Sequence, residues 1–170
     1  MQNKKLLIAG GVLVTLVALV AFMANRRATT DAGSSEAPET ATLPDLDGSA
    51  ITSLTIARPD SAPITLTREG ETWRITTPIE AEADENVVRA AIEKLDELEA
   101  GEVVARNATN HARLEVDDEQ GLRVTVRAGD AEVADLIFGA TRGGNTMVRV
   151  AGQDVVVAAE GSMRFAFDRE

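Results

Sequence analysis

The run Leu6 to Met23, LLIAGGVLVTLVALVAFM, has no charged residue and no proline over eighteen positions, and no other stretch restricts the chain as strongly. At about 1.5 Å per residue, a helix of that length reaches about 27 Å, close to the roughly 30 Å hydrocarbon core of a bilayer. A helix also satisfies its backbone polar groups internally, as a lipid environment demands. The run therefore predicts a single transmembrane helix. A cleaved signal peptide is the weaker alternative, because cutting after Ala21 or Ala24 would place Leu19 or Phe22 where a small residue is needed. Asn25, Arg26 and Arg27 follow at once, a flank typical of a retained anchor. Lys4 and Lys5 on one side nearly balance Arg26 and Arg27 on the other, so positive charge decides little. Long domains translocate largely regardless of charge, which favours a cytoplasmic N-terminus with the bulk of the chain outside. Within the run, Gly11 and Thr15 are spaced for close approach of a second helix, or simply face lipid.

The expected division is a cytoplasmic head over residues 1–5, an inner-membrane anchor over 6–24, a disordered linker over 25–50 and an extracytoplasmic domain over 51–170. The linker reading rests on NRRATTDAGSSEAPETATLPDLDGSA, which is rich in Ala, Thr, Ser, Glu and Pro and has almost no apolar periodicity. As a flexible coil its ends would lie about 30 Å apart. The domain holds thirteen basic against twenty-three acidic residues, so it repels nucleic acid and anionic headgroups, and no nucleic-acid partner is expected. With no cysteine, disulfides, thiolate nucleophiles and Cys-type metal sites are ruled out. One Trp, four Phe and no Tyr leave little aromatic surface for stacking bases or sugars.

The domain opens with β-like runs at Ile51 to Ala57, Ile64 to Arg68 and Thr72 to Thr77, separated by turn residues around Pro59–Pro63 and Gly70. Their alternation suits a meander with one wet face, on which the lone Trp73 reads as a core anchor. Asp84 is placed to cap a helix, and Val88, Ala91, Ile92, Leu95 and Leu98 follow at helical spacing, ending near Gly101. After a short run, Glu102 to Arg106, and an irregular passage to Gln120, strands are predicted at Leu122–Ala128, Glu132–Phe138, Thr146–Val150 and Asp154–Ala158. The fold class predicted is α+β: mainly antiparallel sheet or sheets packed on one principal amphipathic helix, preceded by the transmembrane helix. Phe165 and Phe167, close to the terminus, either pack back on the sheet or await a further element.

Most of the chemical motifs in the chain are incomplete. Gly139 to Thr146 fits a phosphate loop except that Asn145 stands where Lys is required, and a strand rather than a helix follows. Asp117, Asp118 and Glu119 lack the alternate spacing of a calcium loop. His111 is the sole histidine and has no evident partner for acid–base work, so it reads as structural or exposed, with its role left open. The acidic face of the helix, with Glu93 and Glu97, reads as solvated, and Asn107 to Thr109 is a chance sequon. No catalytic, cofactor-binding or metal-ligating residue is assigned.

The order of features nonetheless resembles the bacterial domain-of-unknown-function family 4340. The matching stretches are T-W-R-I-T-T-P at Thr72 to Pro78, Ala83 and Asp84 leading the helix, Leu122 to Val126, Ala134 to Gly139, Met147 to Val150 and Val155 to Ala158. Met147 and Val156 stand where the family usually has aromatics. The resemblance implies a membrane-anchored protein with an auxiliary role beside ABC transporters of the gliding-motility type, and it carries no catalytic residue or cofactor. The leading expectation is a non-enzymatic accessory or scaffolding domain that binds a protein partner such as a transporter or envelope complex. The alternative is an envelope ligand-binding protein that captures a small molecule or polymer in a sheet–helix cleft, and an enzyme has least support.

Overall fold

The computed structural model describes residues 42–168. The head, the Leu6 to Met23 run and the linker as far as residue 41 lie outside the described residues. Among the described residues no helix is long and apolar enough to cross a membrane.

Strands β1 (Ser53–Ala57), β2 (Ile64–Glu69), β3 (Thr72–Thr77) and β4 (Ala81–Glu82) form a first meander. Helix α1 (Glu85–Asp96) and strand β5 (Val103–Ala105) follow, then a 3-10 turn (Ala108–Asn110) that runs into α2 (His111–Leu114). Strands β6 (Leu122–Ala128), β7 (Ala131–Arg142), β8 (Asn145–Val150) and β9 (Val156–Glu160) make a second meander, and α3 (Met163–Phe167) comes last. All nine strands join one sheet in the order β4-β3-β2-β1-β6-β7-β8-β9-β5, with antiparallel pairing throughout. The seam between the meanders is the β1–β6 pair, where Leu54 faces Val126 and Ile56 faces Val124.

One face of this sheet carries the main core. Leu54, Leu66, Trp73, Val124, Leu136, Phe138 and Val148 are buried there beneath Val88, Ala91 and Leu95 of α1 and Met163 and Phe167 of α3. The Phe167 ring stacks on Phe138 with centroids 5.3 Å apart. The opposite face is divided. Over β7 to β9 it is covered by Leu114 and Val116, which pack on Ile137, Met147 and Val156. The buried Arg149 holds that cover in place: its Nε donates to the Val116 carbonyl at 2.8 Å, and Asp118 lies 3.5 Å from its Nη2. Over β1, β2 and β6 the face is polar, with Thr55 in register with both Thr65 and Thr125.

The α+β assignment is corrected by this topology. The described residues are mostly β, a single nine-stranded antiparallel sheet with helices of twelve, four and five residues among them. The amphipathic stripe of α1 is real, but α1 lies on a sheet made continuous by a seam between strands some seventy residues apart. The transmembrane helix that the same assignment placed first has no counterpart among the described residues. The end of the predicted linker also packs on the domain: Leu43 and Leu46 are buried in the main core, and Gly48–Ala50 form a 3-10 turn. The last strand is shifted from Asp154–Ala158 to Val156–Glu160, and β7 runs four residues past Phe138 to Arg142.

Candidate functional site

Helix α1 starts where Asp84 accepts hydrogen bonds from the backbone N–H groups of Asn86 and Val87, at 2.9 and 3.3 Å. Lys94 in its last turn donates to Glu97 at 2.7 Å, and this bond raises the lysine pKa. With Val88, Ala91 and Leu95 turned into the sheet, the helix is narrower than the surface beneath it. Open space therefore remains along both of its flanks and where it meets α3.

The first flank is an acidic cleft of about 500 Å³ between α1, the Gly48–Ala50 turn and the β2–β3 reversal. Five carboxylates line it, from Asp47, Glu71, Glu85, Glu93 and Asp96, against the guanidinium groups of Arg68 and Arg89. Two of the carboxylates build the wall. Asp47 Oδ1 accepts from the Ser49 hydroxyl at 2.6 Å and the Ser49 N–H at 2.9 Å, and Asp96 Oδ1 accepts the Gly48 N–H at 2.7 Å. The Ser49 hydroxyl, followed by its backbone N–H, holds the Asp47 carboxyl below the ordinary carboxylate value. A Cβ at position 48 would lie 2.9 Å from Ile92 Cγ2, so a larger residue there forces the Ile92 side chain to shift. Arg68 is tied to the same wall, donating to the carbonyls of Gly70 at 3.2 Å and Ser49 at 3.3 Å. Trp73 also lines the cleft, with 9% of its surface exposed.

The second flank is an apolar groove of about 320 Å³ lined by Ile64, Leu66, Ile75, Val87 and Phe167, with Arg58 and Asp84 as its charged members. A third opening, about 380 Å³, lies where α1 meets α3 and is lined by Val87, Ala90, Ala166 and Phe165 among the polar Asn86, Glu93 and Lys94. Phe165 is 66% exposed there.

The residues weighed from the sequence lie elsewhere. His111 is buried, and its Nε2 lies 2.9 Å from the Asp154 carbonyl, to which it donates as a structural tie between α2 and the β8–β9 connection. Gly143 and Gly144, both with positive φ, form the β7–β8 hairpin turn within the phosphate-loop-like stretch. Asp117 folds its own loop by accepting from the N–H groups of Glu119 and Gln120 at 3.2 and 2.8 Å. Among the described residues, no group of three or more His, Asp or Glu is arranged to hold a metal ion. The acidic cleft was missed because Asp47 falls in a stretch read as linker, and because Arg68, Glu71 and Glu93 come together only in the fold. The pattern Asp47-Gly48-Ser49, a turn-forming carboxylate with a hydroxyl two residues on, was its one local signal.

Neither the curated proteins nor the solved structures compared with this sequence include a match. Residues 73–170, from the cleft-lining Trp73 through α1 and the second meander to the last residue, match the family described as the domain of unknown function DUF4340. The chain belongs to that family.

Proposed function

We propose that this chain is a non-enzymatic binding module that stands on the extracytoplasmic side of the bacterial inner membrane, tethered by Leu6 to Met23, and docks a protein partner with the side that carries α1 and α3. The observation that supports this reading is Phe165. Helix α3 buries Phe167 against Phe138 yet leaves Phe165 66% exposed, beside Val87, Ala90 and Ala166. Burying the exposed part of this side chain against a partner would add a share of the about 1.5–3 kcal/mol that full burial contributes. An aromatic in an apolar groove with a polar rim is the usual composition of an interface anchor. The partner class implied by the family resemblance is a transporter or another envelope complex, and a flexible linker would hold the module close to it.

The test is in-cell crosslinking of the full chain followed by mass spectrometry, with Phe165→Ser alongside. Transporter or envelope subunits captured by the wild type and lost with Phe165→Ser, at unchanged melting temperature, are expected. Equal capture by both contradicts the docking face. Topology is tested separately, because a chain without cysteine gains a unique reporter from Ser61→Cys. Labelling of intact spheroplasts by a membrane-impermeant maleimide is expected, and labelling only after lysis contradicts the extracytoplasmic placement.

A second reading, capture of a small apolar ligand, is favoured by the apolar groove of about 320 Å³ between sheet and α1. A melting temperature raised by decanol and not raised in Ile64→Gln supports it, and no rise in the wild type excludes this ligand class.

A further inference from the structure

We propose that residues 43–50 form a releasable strap: a pull between the membrane anchor and the docked partner peels them off the domain and lengthens the tether while the sheet stays folded. The inference rests on the tethered docking reading. It is carried first by how the segment is held. Leu43 and Leu46 are buried in the main core, yet among the described residues Leu43, Pro44, Asp45 and Leu46 make no hydrogen bond at all. Two bonds tie the rest of the segment to the domain, and both use a side chain of another element. The Gly48 N–H donates to Asp96 Oδ1 at 2.7 Å, and Arg68 donates to the Ser49 carbonyl at 3.3 Å. The bonds from Ser49 and from the Ala50 N–H to Asp47 close on the segment itself and travel with it.

The second observation is how sharply this changes at Thr52. Its N–H donates to the Arg127 carbonyl and its own carbonyl accepts the Arg68 N–H, both at 2.8 Å. From there β1 is paired on both edges, with β2 and with β6. Coming from the anchor, tension reaches the two leucines before it reaches β1. Peeling the segment breaks side-chain contacts a few at a time, whereas moving β1 requires two ladders to give way together, so the segment opens at the lower cost. Eight released residues add at most about 28 Å of reach. No residue of the segment lines the α1–α3 opening beside Phe165, so the docking side is kept while the tether lengthens.

The experiment pulls the full chain, held in detergent, in an optical trap. The chain has no cysteine, so handles attach uniquely at Arg27→Cys and Ser61→Cys, which places the strap and β1 in series. A reversible lengthening of up to about 28 Å is expected, at lower force than the event that extracts β1. In Leu43→Ala, Leu46→Ala this early step should be lost and the β1 event kept. Thiol labelling gives a second measurement that does not depend on that variant folding. A single Leu46→Cys, at a position 5% exposed, should be labelled about tenfold or more faster than a single Leu54→Cys on β1, at a position 0% exposed. One unfolding event with no early step, an early step unchanged by the leucine variant, or equal labelling at the two positions each overturns the proposal. Failure here leaves docking through Phe165 standing. Loss of partner capture alongside a normal early step overturns the docking reading instead.

Discussion

Thr146 shows how single side chains tie this fold together. It is fully buried on β8, donates from Oγ1 to the Gly161 carbonyl at 2.7 Å and accepts the Met163 N–H at 2.9 Å. Ser162 makes no capping bond of its own, so a threonine from a neighbouring strand caps α3. Thr146→Val removes both side-chain bonds and should cost about 1–3 kcal/mol in urea denaturation, with Thr146→Ser close to wild type. Equal stability of the Val variant would show that the cap is dispensable. Asp47 offers a pH-dependent counterpart. Its folded pKa is lowered from 3.8 by Ser49, so as pH falls the unfolded chain takes up this proton first. The stabilisation is therefore complete above the ordinary value and is lost as pH falls through the folded one. NMR titration of the side-chain carboxyl should find Asp47 below ordinary aspartates and return it to them in Ser49→Ala. An unshifted Asp47 in the wild type contradicts the bond.

At the scale of elements, what could be read from the sequence was local. Helix α1 was legible because Asp84 and the stripe Val88, Ala91 and Leu95 lie within a dozen residues, and β3 because Gly70 and Pro78 bracket it. Leu95 is 1% exposed, so Leu95→Ala should cost about 2–5 kcal/mol in thermal or chemical unfolding. Unchanged stability would mean that α1 does not pack as described. The end of β7 was not legible, because Gly139 looks like a strand terminator. It is instead a point of close approach, where a Cβ would stand 2.3 Å from the Leu114 carbonyl as α2 crosses the sheet. Helix α2 itself has four residues and no side-chain cap, too little periodicity to read. Leu43 and Leu46 were lost for the same reason, two isolated leucines among prolines and aspartates whose burial depends on the far side of the core.

For the molecule as a whole, the decisive contact is the β1–β6 seam, which fuses two meanders into one sheet. No local pattern announces a pairing between Leu54 and Val126, which is why the fold class read from sequence gave the helix too much weight. The same long-range assembly makes the candidate site: α1 spans a sheet wider than itself, and its flanks become an acidic cleft and an apolar groove, with Phe165 at one end. The opposite face over β1, β2 and β6 is mainly threonine, serine and arginine, so the two faces should behave differently toward a partner. The most direct measurement places a photo-crosslinking amino acid in cells at Phe165, on the α3 side, or at Thr67, on the polar face, one position at a time in the full chain. The account predicts one specific protein adduct from position 165 and none from position 67. Adducts of equal yield from both positions, or an adduct from position 67 alone, would contradict docking through the α1–α3 side.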